Sequence, residues 1–131
     1  MQNTKKLILI ADDDHDYLEQ IKFHVESFGF DTVSCFSQKE CEKLIETVKP
    51  DLAIFDLMME NDDSGFILSY KLKKKYPNVP IILATAVASE TGYVFESENQ
   101  TERSWIKADV YMEKGIRADQ LHREINKLLK I

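Results

Sequence analysis

Three carboxylates follow or close short apolar runs in this sequence. Asp12 and Asp13 come directly after the run at residues 7–11, and Asp56 closes the run at residues 51–56. Three such charges in one place would repel by roughly 4 kcal/mol per pair at 4 Å and an effective dielectric constant near 20, so the cluster makes sense only with a cation. Carboxylates and waters suit Mg²⁺. We therefore predict a magnesium site in which Asp56 attacks a phosphoryl group in line and forms an acyl phosphate.

A hydroxyl and an ammonium stand at the ends of two further apolar runs. Thr85 follows the run at residues 80–84, and Lys114 comes shortly after the run at residues 109–112. The lysine can pair with phosphoryl oxygens, and the threonine hydroxyl can donate a hydrogen bond to one of them. An isolated Asp56 would be interpreted as a charge that merely ends a strand. Because the other polar groups are expected at the same edge of the sheet, we interpret Asp56 as a nucleophile instead.

The apolar runs have the length and near-continuous hydrophobicity of strands that are buried on both faces. These runs give candidate strands at residues 7–11, 51–56, 80–84 and 109–112, and residues 31–36, which alternate weakly between polar and apolar, give one more. Segments with one apolar stripe, typical of amphipathic helices, alternate with them. This β-α pattern, repeated five times, predicts an α/β fold with a doubly wound, five-stranded parallel sheet and helices on both faces. Ligands of such sheets bind at the carboxyl edge, where all five polar groups would meet.

Turn and cap signals place the helix boundaries. Gly29 is typical of the residue that follows a helix, and Ser37 with Glu40 forms a capping box that starts the next one. Pro77 stops the third helix, whose apolar face is assigned to Ile67, Leu68 and Leu72 and whose lysines (Lys71, Lys73, Lys74 and Lys75) are interpreted as a solvated face. The segment at residues 87–108 is expected to hold a fourth helix and a mobile loop.

The bulk properties limit the class of protein. The chain has 131 residues and a net charge of -6, which suits one domain over residues 1–131 and argues against a nucleic-acid binder. No apolar stretch approaches the ~20 residues of a membrane span. Cys35 and Cys41 lack metal-site spacing and are interpreted as buried hydrophobic residues in a reducing, cytoplasmic protein.

Four segments together resemble the receiver domain of bacterial two-component response regulators. They are LILIADDD at 7–14, PDLAIFD at 50–56, PIILATA at 80–86 and DVYMEK at 109–114. The resemblance covers essentially the whole chain, in the family's order and at nearly its spacing. It implies a flavodoxin-like sheet with strand order 2-1-3-4-5 and a single receiver domain. We expect no output domain in this chain, because none fits after the last helix.

The resemblance also implies a role for each matching residue. Asp56 would be the phosphoacceptor, and Lys114 would contact the phosphoryl oxygens. Asp13 would bind Mg²⁺ directly, Asp12 largely through water, and the Met58 backbone carbonyl would complete the protein's share of the metal shell. The expected switch residues are Thr85 and Tyr111.

The implied partners follow from the same family. The phosphoryl donor would be a phosphohistidine on a sensor histidine kinase or a histidine phosphotransfer protein. The downstream protein target would bind a face formed by the fourth helix (expected within residues 87–108), the fifth strand and the fifth helix. The domain would be a monomer or a weak dimer. It would catalyse its own phosphorylation and dephosphorylation without turning over an external substrate.

One departure from the family concerns the residue after Lys114. Gly115 stands where the family typically has a proline after a cis bond. A non-proline cis bond costs about 2.5–4 kcal/mol, so we predict a trans bond with a rearranged loop.

Two other classes remain open at this stage. The chain could be a pseudo-receiver, an interaction module that is not phosphorylated, although all the expected polar groups are present. It could also be a phosphatase of the haloacid-dehalogenase type, since Asp12 and Asp14 have the spacing of that family's nucleophile motif. Those enzymes need a cap or a longer chain, for which 131 residues leave no room.

Overall fold

The three central strands are short, apolar and almost wholly buried, as their composition predicts, whereas the two edge strands are mostly exposed in part. A computed structural model describes residues 5–59, 61, 63–85 and 109–131. Its five strands are β1 (Leu7–Ala11), β2 (Asp31–Cys35), β3 (Leu52–Asp56), β4 (Ile81–Thr85) and β5 (Val110–Glu113). They form one parallel sheet in the order β2-β1-β3-β4-β5. The predicted architecture and strand order are confirmed, and each boundary lies within one residue of its prediction.

Four helices belong to the described part of the chain. They are α1 (His15–Ser27), α2 (Gln38–Thr47), α3 (Ser64–Lys75) and α4 (Ala118–Leu129). Gly29 follows α1 at a φ of 102°, a conformation that glycine adopts without strain. The Ser37 hydroxyl accepts from the Glu40 N–H at 3.1 Å, and the Glu40 carboxylate accepts from the Phe36 N–H at 2.8 Å. The predicted capping box therefore starts α2, with the back-bond reaching one residue further upstream than usual.

The helices pack on both faces of the sheet and enclose two separate cores. On one face α2 and α3 cover side chains from the strands, and on the other face α1 and α4 do so. Adjacent residues of β3 alternate between the two cores: Ala53 and Phe55 belong to the first, Leu52 and Ile54 to the second. This alternation is why each central strand is apolar throughout.

Two aspartates order the amino edge of the sheet, opposite the predicted site. The Asp51 carboxylate accepts from the Leu7 N–H at 2.7 Å, and the Asp109 carboxylate accepts from the Ile81 N–H at 2.8 Å. Each carboxylate thus satisfies the first N–H of a neighbouring strand. Lys73 extends from α3 to Asp109 at 2.9 Å and ties that helix to the same edge.

The interpretation of α3 needs two corrections. Leu68 and Leu72 are buried as predicted, but Ile67 is only partly buried, and Phe66, which the prediction left out, lies in the core. The lysines of α3 are also more than a solvated face, because Lys73 is only 16% exposed and ion-paired. Lys71 and Lys75 reach Glu42 and Glu46 on α2, but these exposed pairs add little stability.

The helix and loop expected within residues 87–108 lie outside the described residues. In the part of the chain that is described, no helix combines the length and the apolar character needed to cross a bilayer.

Gly65 allows the start of α3 to press against the end of β3. A Cβ at this position would lie 2.6 Å from the backbone oxygen of Asp56 and 2.8 Å from the Leu57 Cα. The Gly65 N–H donates to the Leu57 carbonyl at 2.9 Å. The close approach therefore fixes the backbone that carries Asp56.

Gly65→Ala should lower the free energy of unfolding by roughly 1–3 kcal/mol, because backbone atoms have to move to admit the methyl group. Urea denaturation checks this, with Gly115→Ala as the matched control. A Cβ at Gly115 would meet nothing within 4 Å, so its unfolding free energy should change by less than about 0.5 kcal/mol. Equal effects of the two substitutions would contradict the close-packing argument.

Candidate functional site

Four adjacent strands bring the predicted polar residues to one edge of the sheet. Asp12 follows β1, Asp56 ends β3, Thr85 ends β4 and Lys114 follows β5. The parallel register places Asp56 beside Ala84 and Thr85 beside Glu113, so the strand ends are level with one another. The backbone N–H of Lys114 continues this ladder by donating to the Thr85 carbonyl at 2.8 Å.

The three carboxylates form one cluster. Asp12, Asp13 and Asp56 each offer an oxygen within 4.8 Å of the others. Asp12 is 2% exposed and Asp56 is 5% exposed, whereas Asp13 is exposed to solvent. The cluster therefore has two buried charges in contact with the interior and one that opens to water.

Lys114 is the cation that the buried carboxylates share. Its Nζ lies 2.7 Å from Oδ2 of Asp12 and 3.2 Å from Oδ1 of Asp56, and its side chain is 18% exposed. Oδ1 of Asp12 accepts from the Asp14 N–H at 2.9 Å, which fixes the orientation of that carboxylate. One ammonium thus partly neutralises two buried negative charges.

This partial compensation leaves Asp56 unusually basic. The pKa of Asp56 is raised from 3.8 to about 7: burial is the largest cause, the charge of Asp12 and a hydrogen bond with it add to the rise, and Lys114 opposes it. Burial alone would lower the pKa of Lys114, but its hydrogen bond to Asp12 and the charges of both carboxylates raise it above its usual value. The lysine is therefore charged at neutral pH, and Asp56 is poised to change its protonation state.

The other predicted residues surround the same cleft. A cavity of about 260 Å³ is lined by Thr85, Met58 and Lys114 together with the acidic residues Asp13, Asp14 and Asp56. Thr85 is buried, and the Met58 N–H points to Oδ1 of Asp56 at 3.4 Å. Tyr111 is partly buried and packs against the core on the α2 and α3 side. No described peptide bond is cis, so the predicted trans bond between Lys114 and Gly115 is present.

Sequence reasoning missed Tyr17. Its ring lies in the first turn of α1 with its centroid 4.8 Å from the Lys114 Nζ. Its hydroxyl is buried and finds no hydrogen-bond partner in the described part of the chain. Burial raises the pKa of Tyr17, and the charges of Asp12 and Asp56 add to that rise. Its place one turn after the acidic run was the only available signal, and that signal is also typical of core packing.

The residues present fit a divalent cation. The donor set consists of carboxylate oxygens, one of them open to water, which suits a hard cation that keeps several waters. Among the described residues, Lys114 is the one cation paired with the two buried carboxylates, so the cluster can take up further positive charge. Asp12, Asp13 and Asp56 are the residues that could hold such an ion.

The chain is an α/β protein in which a five-stranded parallel sheet carries a cluster of polar residues at its carboxyl edge. The chain belongs to the response regulator receiver domain family, whose model matches residues 8–126. That match covers the five strands except for the first residue of β1, and most of α4. The resemblance seen in the sequence is thereby confirmed.

Solved structures and curated relatives agree with this assignment. A CheY-like receiver domain from Methanospirillum hungatei superposes with a TM-score of 0.81 at 27% identity, over 97% of this chain and 95% of that one. The receiver domain of the Francisella response regulator 1452 gives 0.76 at 32% identity, over 96% and 98%.

Among curated proteins, the chain is 27% identical to the alkaline phosphatase synthesis transcriptional regulatory protein PhoP of Bacillus subtilis, over 95% of this chain. It is 30% identical to the heme response regulator HssR of Staphylococcus aureus, over 93% of this chain. The chain spans about half the length of these relatives, 49% of the first and 50% of the second.

Asp56→Asn should stabilise the metal-free domain at pH 8 by roughly 1–3 kcal/mol, and this gain should fade as the pH falls towards 4. A carboxyl whose pKa is raised in the folded state favours folding below pH 3.8 and loses that contribution as the pH rises to about 7. Asparagine stays neutral and so escapes the loss. Urea denaturation in a chelator across this pH range measures the difference.

Asp16→Asn, on the exposed first turn of α1, is the matched control and should show no comparable rise. If Asp56→Asn proves no more stable than the unsubstituted chain at pH 8, the buried Asp56 charge does not lower the free energy of unfolding as the geometry indicates.

Proposed function

We propose that this domain is the phosphoacceptor of a two-component or phosphorelay system and that Asp56 receives the phosphoryl group. The observation that carries the proposal is the buried Asp56 carboxylate, which shares the Lys114 ammonium with Asp12 at the carboxyl edge of the sheet. Buried like charges cost free energy and persist where a site uses them. Membership of the receiver family supports the same role.

The transfer itself is a displacement at phosphorus. An oxygen of Asp56 forms the new P–O bond while the P–N bond of a phosphohistidine breaks, and the imidazole leaves with the electron pair of that bond. Asp56 has to be ionised to act as the nucleophile, so its raised pKa must fall when the site is loaded. Lys114 can follow the charge onto the phosphoryl oxygens, because its Nζ already lies 3.2 Å from Oδ1 of Asp56.

We assign the magnesium site to Asp12, Asp13, Asp56 and the backbone carbonyl of Met58. Bound Mg²⁺ would supply the positive charge that the cluster lacks and would neutralise charge on the phosphoryl oxygens. Asp13 is the exposed member of the cluster and would meet an entering ion first, while the Asp14 N–H and Lys114 hold the buried Asp12 carboxylate in place.

Thr85 and Tyr111 are the proposed switch residues. Thr85 lines the cleft and is joined through its carbonyl to the N–H of Lys114, so a shift of either backbone affects the other. The phosphoryl group adds charge and acceptor oxygens that favour the arrangement in which the Thr85 hydroxyl donates to one of them. Tyr111 pairs with Leu83 on the neighbouring strand and would turn inward with that movement.

The proposed partners lie at two surfaces. A histidine kinase or a histidine phosphotransfer protein would deliver the phosphoryl group at the cleft. The downstream protein would read the surface of β5 and α4, with the helix that the sequence predicts within residues 87–108. The domain modifies itself and has no external substrate to turn over.

Acetyl phosphate with Mg²⁺ should add one phosphoryl group to the chain, detected by intact mass, and Asp56→Asn should abolish the label. Asp16→Asn, the same change on the exposed side of α1, should label like the unsubstituted chain. If no dose of donor labels the chain, it acts as a pseudo-receiver. If Asp12→Asn loses phosphatase turnover while Asp56→Asn does not, the chain is a phosphatase of the dehalogenase type.

Asp13→Asn should weaken Mg²⁺ binding at least about tenfold in calorimetric titrations, because it removes a direct ligand with its charge. Asp16→Asn should leave the binding constant unchanged. Equal affinities of the Asp13→Asn variant and the unsubstituted chain would place the ion elsewhere.

A further inference from the structure

The Lys114 ammonium has three close neighbours among the described residues, and only two of them are carboxylates. The third is the ring of Tyr17, whose centroid lies 4.8 Å from the Nζ. Asp12 and Asp56 contact the same nitrogen at 2.7 and 3.2 Å. The ammonium is therefore held between two negative charges and the face of one aromatic ring.

Tyr17 is itself firmly placed. It belongs to the first turn of α1, and its backbone N–H donates at 3.2 Å to the side chain of Asp14, which caps that helix. The ring packs against the core on the α1 and α4 side of the sheet. The same acidic loop thus fixes both the Asp12 carboxylate and the ring that faces the lysine.

The hydroxyl of Tyr17 does not explain this placement. It is buried and without a hydrogen-bond partner in the described part of the chain, which is unfavourable for a polar group. Phenylalanine would avoid that cost. The contact that Tyr17 offers to the site is the electron-rich face of its ring, which attracts a cation within about 6 Å and more strongly when water is excluded.

We propose that Tyr17 is a positioning residue for phosphoryl transfer, whose ring holds the Lys114 ammonium beside Asp12 and Asp56, where the phosphoryl oxygens arrive. A lysine side chain has several rotatable bonds and would otherwise sample many positions. The ring of Tyr17, with the ammonium over it at 4.8 Å, restricts those positions. This inference rests on the proposed function, since it assumes that Asp56 is phosphorylated.

The contact can be measured without any phosphodonor. In proton NMR spectra, the ring-current effect of Tyr17 should shift the ε-methylene resonance of Lys114 upfield of the same resonance in exposed lysines such as Lys39. The resonance is assigned by its disappearance in Lys114→Arg. Tyr17→Phe should keep the shift and Tyr17→Leu should remove it.

The functional test is the rate of labelling by acetyl phosphate with Mg²⁺. Tyr17→Leu should react roughly three- to tenfold more slowly, while Tyr17→Phe should stay within about twofold of the unsubstituted chain. In a Lys114→Ala background, Tyr17→Leu should cause no further loss, because the ring then has no ammonium to hold. A packing role alone would slow both backgrounds by the same factor.

A fluorinated series at position 17 keeps the test sharp if Tyr17→Leu disturbs folding. Successive fluorines on phenylalanine preserve its shape and weaken the negative face of the ring, so labelling should slow stepwise with fluorine count. The absence of any such trend in a folded series would overturn the inference.

The outcomes separate the two proposals. If the unsubstituted chain takes no phosphoryl group, the proposed function fails and this inference fails with it. If the chain is labelled but Tyr17→Leu matches its rate, or slows both backgrounds equally, only the role of Tyr17 is overturned. A Tyr17→Phe variant as slow as Tyr17→Leu would overturn the ring as the active feature.

Discussion

The site depends on like charges being forced together in a place that water barely reaches. Asp12 and Asp56 are both buried, and the single ammonium of Lys114 is shared between them at 2.7 and 3.2 Å. One positive charge cannot neutralise two, so the pKa of Asp56 is raised to about 7, through burial first and then the charge of Asp12. The cluster is therefore ready to accept a divalent cation or a proton, and its protonation follows what is bound.

The rest of the fold maintains this unfavourable arrangement. Parallel strands end level at one edge of the sheet, which brings residues far apart in sequence within reach of one nitrogen. Gly65 lets α3 press on the backbone at Asp56 and Leu57, so the carboxylate has little room to move away. At the opposite edge, Asp51 and Asp109 satisfy strand N–H groups and hold the sheet in register. The packing of the two cores stabilises the fold and offsets the local cost of the buried charges at the carboxyl edge.

Shared backbone and side-chain contacts connect the cleft to the elements around it. Lys114 touches both buried carboxylates, faces the Tyr17 ring and is hydrogen-bonded through its backbone to Thr85. Moving the ammonium towards a new group on Asp56 would change all of these contacts together. Lys114 lies in the short segment that joins β5 to α4, so the cleft and that helix belong to one continuous stretch of structure.

The elements, their order and the residues that end the strands could be predicted from the amino-acid sequence. Local rules suffice for these features: the central strand runs are apolar, Ser37 and Glu40 cap α2, and Gly29 takes a φ that suits glycine. The predicted cluster could be found because every member stands at a strand end. Other contacts became visible only in the tertiary structure: the ion pair of Lys114 with Asp12, the ion pair of Lys73 with Asp109, and the contact of the Tyr17 ring with the Lys114 ammonium. Those pairings join different elements across the sheet, and no local pattern records how far a side chain reaches.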